Sequence, residues 1–305
     1  MSLIVSTSPH LRNRTDTASI MRDVVIALVP AVIAAVLIFG LRSLLVVAVC
    51  VAAAVLTEFL YEKGCKLPVT VGDWSAVVTG VILACNLPVT IPLWQAAFGS
   101  IVAILVVKQL FGGLGRNFAN PAIVGRIVLF LSFSKTMTAW VFPDAVSTAT
   151  PLAVMVAGGK LPGLLDMFLG VKGGCLGEVS VLALLIGFVY LLVRRVITWH
   201  TPVAFVGTVF LLSWLLGGNA LYALNQIMAG GLLLGAVFMA TDYATTPSTN
   251  SGRLIFGLGC GILTVLIRQW GSYAEGVSFA ILFMNILTPY ISKWTRTKPF
   301  GGVKA

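Results

Sequence analysis

Acidic side chains are scarce in this sequence. Ten Asp and Glu stand against 20 Lys and Arg in 305 residues, and charged residues make up only 10% of the chain. A soluble domain carries about 25%, so an ordinary water-solvated fold is excluded. Histidine is almost missing, with only His10 and His200, and the five cysteines (Cys50, Cys65, Cys85, Cys175, Cys260) show no CxxC spacing. Structural zinc or an iron–sulfur cluster held by this chain alone is therefore not expected, and no residue is assigned as a metal ligand. A cluster shared with another chain stays open. There is no Walker loop and no GxGxxG at the start of a strand–helix unit, which argues against ATP or nicotinamide binding in the usual manner. The net charge of +10 is scattered over short segments. Such scatter argues against nucleic acid as a partner and fits short loops of a membrane protein.

What the chain has in abundance is apolar length: 58% of residues are hydrophobic and the mean hydropathy is +1.02. A hydrocarbon core of ~30 Å needs about 20 apolar residues per helix, or fewer where a helix is broken or buried in a bundle. The pattern predicts an all-α polytopic fold of about ten spans, near 22–41, 43–61, 74–88, 93–110, 121–134, 179–193, 202–216, 223–240, 253–268 and 276–293. The third and fifth are short and carry Pro at an end (Asn86-Leu87-Pro88; Asn120-Pro121), so they read as broken or half-crossing helices. The polar, Arg-bearing stretch 1–21 has no small-residue cleavage site and is expected to stay as a cytoplasmic segment rather than be removed as a leader.

Orientation follows from the cations. With the N-terminus inside and ten crossings, the inner set is Arg12, Arg14, Arg22, Lys63, Lys66, Lys108, Arg116, Arg126, Arg194, Arg195, Arg253, Lys293, Arg296, Lys298 and Lys304; the outer set is Arg42, Lys135, Lys160, Lys172 and Arg268. Lys/Arg enrichment on the cytoplasmic side then places both termini in the cytoplasm. The expected organisation is a first five-helix unit over 22–134, an extracytoplasmic loop over 135–178, a second unit over 179–293 and a cytoplasmic tail over 294–305.

The two units repeat. Gly99-Ser-Ile-Val-Ala-Ile-Leu-Val-Val-Lys108-Gln109 lies 160 positions before Gly259-Cys-Gly-Ile-Leu-Thr-Val-Leu-Ile-Arg268-Gln269, with Gly, cation and Gln in register. Each is preceded by an apolar run that breaks in a polar, Pro-bearing segment, Gly80 to Pro88 and Gly235 to Pro247. Five spans per unit is odd, so the second unit is expected upside down relative to the first. Inverted repeats with interrupted helices are a recurring plan for moving substrates or ions.

Polar residues in such a chain each invite two readings. Gly112-Gly113-Leu-Gly115-Arg116-Asn117-Phe-Ala-Asn120-Pro121 is either a tight interhelical turn or a loop lining a cofactor or ion route. Its glycines suit positive φ, Asn120 suits an N-cap and Pro121 the first helical position. Asp242, Asp73 and Glu58 are acids near the bilayer, where ionisable groups carry a functional hypothesis by default. They are candidates for an ion path together with Asn86 and Arg253, on the expectation that the breaks at Asn86–Pro88 and Asp242–Arg253 meet near the midplane. Asp242 is then expected to face a hydrated cavity, an ion or a cation such as Arg253. The plainer alternative is that Asp242 caps the eighth span at the interface.

The long loop carries Asp144-Ala-Val-Ser147-Thr148-Ala149-Thr150-Pro151. By itself this is a hydroxyl-rich surface turn or a site for covalent attachment. Ser147-Thr148-Ala149-Thr150 resembles the flavinylation motif Ser/Thr-Gly-Ala-Thr of respiratory ion pumps. The runs at 112–121, Ser251-Gly252-Arg253-Leu-Ile-Phe-Gly257 and Gly276-Val-Ser-Phe-Ala280-Ile-Leu-Phe-Met-Asn285 likewise resemble the NqrB/RnfD family, over about residues 20 to 300. One departure is Thr148 at the motif's Gly position, which adds a second hydroxyl.

The resemblance implies FMN on Thr150 through a phosphoester, added from FAD by an FAD:protein FMN transferase, with Asp144, Ser147 and Thr148 forming the recognition turn. It leaves open a noncovalent flavin such as riboflavin among the spans. It further implies a membrane subunit of an ion-translocating (Na+ or H+) ferredoxin:NAD+ oxidoreductase of the Rnf type in a bacterial cytoplasmic membrane. Its partners would be the other subunits, including a second FMN-bearing subunit and iron–sulfur subunits. The alternatives are the NqrB component of a sodium-pumping NADH:quinone reductase, or an inverted-repeat channel or transporter with no redox role. A flavin can exchange one or two electrons, and the protein's part is to position and tune it.

Overall fold

A computed structural model describes residues 16–140, 151–156, 163–170, 172–271 and 275–296. Asp144, Ser147, Thr148 and Thr150 lie outside these. The described residues form helices and loops, with no strand among them.

The first unit opens with α1 (Thr17–Phe39), capped by Asp16 accepting from Ser19 N, and α2 (Leu41–Gly64). Then come α3 (Ser75–Cys85), α4 (Leu93–Gln109) and α5 (Pro121–Ser132). Asn120 caps α5 through Ala122 N at 3.0 Å, and Pro121 stands at its first turn, as the sequence predicts. The preceding turn uses its glycines as expected, with φ of 103°, 91° and 84° at Gly112, Gly113 and Gly115. Three short helices follow, α6 (Ser134–Met137), α7 (Pro151–Val156) and α8 (Leu164–Leu169).

The second unit holds α9 (Val181–Val193), α10 (His200–Gly217), α11 (Ala220–Met228), α12 (Leu232–Met239), α13 (Asn250–Trp270) and α14 (Val277–Trp294). Helices α11 and α12 meet at a 68° bend inside the eighth predicted span, a break the sequence reading does not anticipate. By length and composition α1, α2, α10 and α13 can each cross a membrane, and the bent α11–α12 pair makes a fifth such span. Helices α3, α4, α5 and α9 are apolar but shorter.

Packing follows the same plan in each unit. Helix α2 packs on α3 and α4, and α5 on α4; α10 packs on α11 and α13, and α14 on α13. The units join through α1 against α9 and α5 against α14. Close approach of α13 to α10 relies on Gly257 and Gly261, where a Cβ would run into Thr201 O, Ala204 and Thr208. Small residues at such contacts let backbones draw near in lipid, where association depends on packing. Two stretches widen into π-helix, Ala103–Gln109 at the end of α4 and Gly235–Met239 at the end of α12.

Candidate functional site

A helix that ends inside a bundle leaves carbonyls without partners, and in a membrane no water is at hand to meet them. The chain answers with cations. Arg42 donates to the carbonyls of Val89 (2.9 Å), Thr90 (3.3 Å) and Ile91 (3.4 Å), in the break after α3. Arg268 donates to Gln226 O (2.6 Å) and Ala229 O (3.2 Å), at the end of α11, and Lys172 donates to Met228 O. The stretch between α8 and α9, which the sequence presents as loop, also serves this end. Its Leu176 N and Gly177 N bond Leu87 O (3.0 Å) and Cys85 O (2.8 Å).

Between these breaks lies a buried charge cluster. Arg126, in the middle of α5, forms an ion pair with Glu275 and donates to Asn86 Oδ1 (3.1 Å), Ser278 Oγ (2.9 Å) and Cys175 Sγ (3.7 Å). Glu178 accepts from Cys175 N at 2.9 Å. Burial, and then the neighbouring Glu275 charge, push the Glu178 carboxyl above its ordinary range. Cys175, Glu178 and Glu275 offer ligand atoms within 4.8 Å of one another. The Arg126 guanidinium already engages two of the three, which is poor ground for a further cation. Helix α7 reaches the edge of this region, with Leu152 buried against Met167 and Ala229.

A second polar region opens on a cavity of about 80 Å³ between the units. Its polar lining includes Ser75, Thr79, Lys108, Asn120, Thr241 and Asp242. Lys108 Nζ is 2.6 Å from both Glu58 Oε1 and Ser75 Oγ. Gln109 Nε2 adds a bond to Glu58 at 2.9 Å, and Asp73 accepts from Ser75 N at 2.8 Å and from the Ser75 hydroxyl. Glu62 accepts from Thr70 N at 2.9 Å and lies 3.5 Å from Gln109 Nε2. A continuous chain of polar contacts therefore runs from Asp73 through Ser75, Lys108, Glu58 and Gln109 to Glu62. Glu58 Oε2 has no partner among the described residues.

Two of the sequence candidates, Asp73 and Glu58, are thus brought together, through Ser75 and Lys108. Asp242 faces the same cavity, half-buried, accepting from Thr245 Oγ1 at 3.1 Å and Ala244 N at 3.4 Å. Burial raises its carboxyl above the usual range. Asn86 is not brought to Asp242: it belongs to the Arg126 cluster, bonding Ile82 O (2.7 Å) and Met239 Sδ (3.4 Å) as well. Arg253 turns away from Asp242, donating to Thr198 Oγ1 (3.1 Å) and Pro247 O (3.2 Å). The two halves are nevertheless tied near the cavity. Asn120 donates to Met239 O at 3.3 Å, and the Asn285 amide, oriented to satisfy both its ends, bridges Thr245 O and Asn120 N at 3.2 Å each.

Sequence reasoning misses Arg126, Glu275, Glu178 and Lys172 as a cluster. A sign is present: an arginine five residues inside an apolar helix is costly in a membrane and calls for a buried partner. Lys108 and Arg268 stand out in the sequence only as coincident positions of the repeat.

The family model described as "NQR2, RnfD, RnfE family" matches residues 4–301. The chain belongs to this family. Among its relatives, the D subunit of the Na(+)-translocating ferredoxin:NAD(+) oxidoreductase complex of Acetobacterium woodii is 47% identical, over 100% of this chain and 97% of the relative. The D subunit of the proton-translocating ferredoxin:NAD(+) oxidoreductase complex of Clostridium ljungdahlii is 42% identical over 97% of this chain and 96% of the relative. The D subunit of the ion-translocating oxidoreductase complex of Escherichia coli O127:H6 is 34% identical over 97% and 98%. The RnfD branch of the family is thus matched along its whole length, and the all-helical architecture accords with a multi-pass membrane protein.

Proposed function

We propose that this chain is the electron-carrying D subunit of an ion-translocating ferredoxin:NAD+ oxidoreductase complex, built as two inverted five-helix repeats. The observation that carries this reading is the full-length similarity to D subunits of such complexes, joined to the Ser147-Thr148-Ala149-Thr150 motif. Both termini are cytoplasmic in this reading, and the loop 135–178 faces outward from a bacterial cytoplasmic membrane. Its partners are the other subunits, among them a second FMN-bearing subunit and iron–sulfur subunits.

In this reading Thr150 bears FMN, esterified through the phosphate by an FAD:protein FMN transferase, with Asp144, Ser147 and Thr148 shaping the recognised turn. When bound, the flavin supplies one- and two-electron transfer. What the described residues offer fits such a group. Helix α7 begins at Pro151, next to Thr150, and its Leu152 packs at the α11–α12 break. Arg126, Arg268 and Lys172 gather positive charge there against Glu178 and Glu275. These cations would favour and orient a nearby group that becomes negative on reduction.

Ion movement is assigned to the cavity side, with Asp242, Asp73 and Glu58 as proton or cation acceptors and Lys108 and Ser75 linking the last two. The similar relatives are named for different ions, Na+ in one and the proton in the other. A carboxylate path accepts either, so this chemistry does not commit the chain to one. Asn86 and Arg253 take supporting positions in this reading, the first beside Arg126 and the second beside Thr198.

The test is ultraviolet fluorescence of the polypeptide after denaturing gel electrophoresis. Thr150→Val should lose the covalent flavin signal, and Thr148→Val should keep it. Undiminished signal in Thr150→Val, or loss confined to Thr148→Val, overturns the assignment. Flavin released from the complex by acid precipitation reports separately on a noncovalent one such as riboflavin.

A further inference from the structure

Several cations inside the bundle and at its helix ends have polar partners: Lys108 has Glu58, Arg126 has Glu275, Arg194 has Asp23, and Arg42, Arg268 and Lys172 have helix-end carbonyls. Arg195 has no such partner among the described residues, and Arg253 is only partly engaged, by Pro247 O and Thr198 Oγ1. Both line a cavity of about 210 Å³ where α9 ends and α10 and α13 begin. Thr198, Thr201, Thr246 and Tyr243 add hydroxyls to its wall. No carboxylate is paired with either arginine among the described residues. The nearby acid, Asp242, is turned to Thr245 and Ala244. Arg253 is held by Nε to Pro247 O and by one terminal nitrogen to Thr198, which fixes the guanidinium plane and leaves its other terminal nitrogen without a hydrogen bond among the described residues.

The backbone adds to this. Arg195 closes α9 in the left-handed region, φ 56°, with Val196 N bonded back to Leu191 O at 2.9 Å. Glycine is the usual residue at that closing position, because a Cβ is strained there. The depth of the cavity is marked by aromatic residues. Trp199 before α10, Tyr243 after α12 and Trp294 at the end of α14 are all exposed. Exposed Trp and Tyr at helix ends mark the headgroup level of a bilayer.

We propose that the Arg195–Arg253 cavity binds a phosphate ester, presented by an anionic phospholipid of the adjoining leaflet. Two guanidinium groups and a set of threonine hydroxyls match the oxygens of a phosphodiester, for which arginine is the favoured fork. Basic pockets between membrane helices are suited to lipid headgroups. The proposal is independent of the flavin on Thr150, so either can fail alone.

The experiment is native mass spectrometry of the whole complex, delipidated and titrated with phosphatidylglycerol, phosphatidylcholine or inorganic phosphate. Wild type should retain phosphatidylglycerol that Arg195→Gln/Arg253→Gln binds about thirtyfold more weakly, from roughly fivefold per arginine near a surface. Arg195→Gln alone, which removes a side chain with no hydrogen bond among the described residues, should show about fivefold and guards against a folding defect in the double variant. Arg116→Gln, exposed in another loop, should match wild type. Equal retention of phosphatidylglycerol by wild type and both cavity variants overturns the site. Displacement of phosphatidylglycerol by inorganic phosphate at equal concentration, or by phosphatidylcholine, overturns the anionic lipid as its occupant.

Discussion

Lys108 and Arg268 stand at matching places in the two halves, 160 positions apart and each followed by Gln, yet their partners differ in kind. Lys108 meets a carboxylate and a hydroxyl on the wall of a cavity. Arg268 meets the carbonyls of Gln226 and Ala229 where a helix is broken. The residue types suit the two tasks. A lysine ammonium is a compact point charge that suits one carboxylate and one hydroxyl, whereas a guanidinium presents a rigid fork of donors that spans two carbonyls. In the proposed reading, a repeated position is divided between a half that handles ions and a half that clamps backbone.

The largest effect is expected at the clamp. Arg268→Met strands two main-chain carbonyls and the Gln226 side-chain oxygen, each worth about 1–3 kcal/mol when buried without a partner. The variant should fail to accumulate in assembled complex on native gels, and Arg268→Lys should recover part of it. Wild-type abundance of Arg268→Met would show that Lys172 and the fold hold the break unaided, and the division of roles would fall.

Lys108→Met should come next, because it leaves Glu58 buried without a countercharge, at about 3–5 kcal/mol. Lys108→Met/Glu58→Gln removes that penalty. It should assemble and keep the covalent flavin proposed for Thr150, while Na+ or H+ uptake per electron in proteoliposomes drops severalfold. Normal uptake by the double variant would reduce Lys108 to a structural cation like Arg268.

A smaller change is expected from Asp242→Asn, which should assemble normally and slow ion uptake. Since burial raises the Asp242 carboxyl, it takes up its proton at a higher pH than an ordinary aspartate. Uptake that needs the carboxylate should fall as pH is lowered into that range, and the Asn variant should lack this dependence. A pH profile shared by both proteins would leave Asp242 as a turn residue.

The smallest effect belongs to Glu178. Its pKa is raised in the folded chain, so the folded state binds its proton more tightly than the unfolded state. Stability therefore falls as pH rises between the ordinary glutamate value and the raised one. Thermal unfolding of the complex should show a midpoint that declines over this window, and Glu178→Gln should flatten the decline. An unchanged slope would assign the pH response elsewhere.

Much of the architecture is legible in the sequence because lipid imposes a simple rule, that an apolar stretch becomes a helix. The ten predicted stretches coincide with α1 to α5 and α9 to α14, with α11 and α12 sharing one. The Asn120–Pro121 start and the left-handed glycines are legible for the same reason, since each is dictated by its own local chemistry. Pairings are not. Charge counting treats Arg126 as a loop cation, yet it is buried in α5 and meets Glu275, 149 residues away. Nothing local to either residue encodes that distance. Asn86 is expected beside Asp242 because both sit at breaks, but a shared kind of segment does not fix which segments touch. The Ser147-Thr148-Ala149-Thr150 motif lies outside the described residues, and it is legible because such a motif is purely local.

The π-helical end of α4 carries one residue more per turn than the α-helix around it. Helices of this kind behave like an α-helix that has absorbed a single-residue insertion, with the flanks left in their old alignment. Losing one residue from Ala103–Val107 should therefore relax the turn to ordinary α geometry with Leu93 and Gln109 still close to their stations. The same loss within α13, which has no such slack, would swing everything beyond it by about 100° and carry Arg268 off the carbonyls it serves. Length variation among descendants of this chain should accordingly be tolerated in the fourth helix and purged from its counterpart.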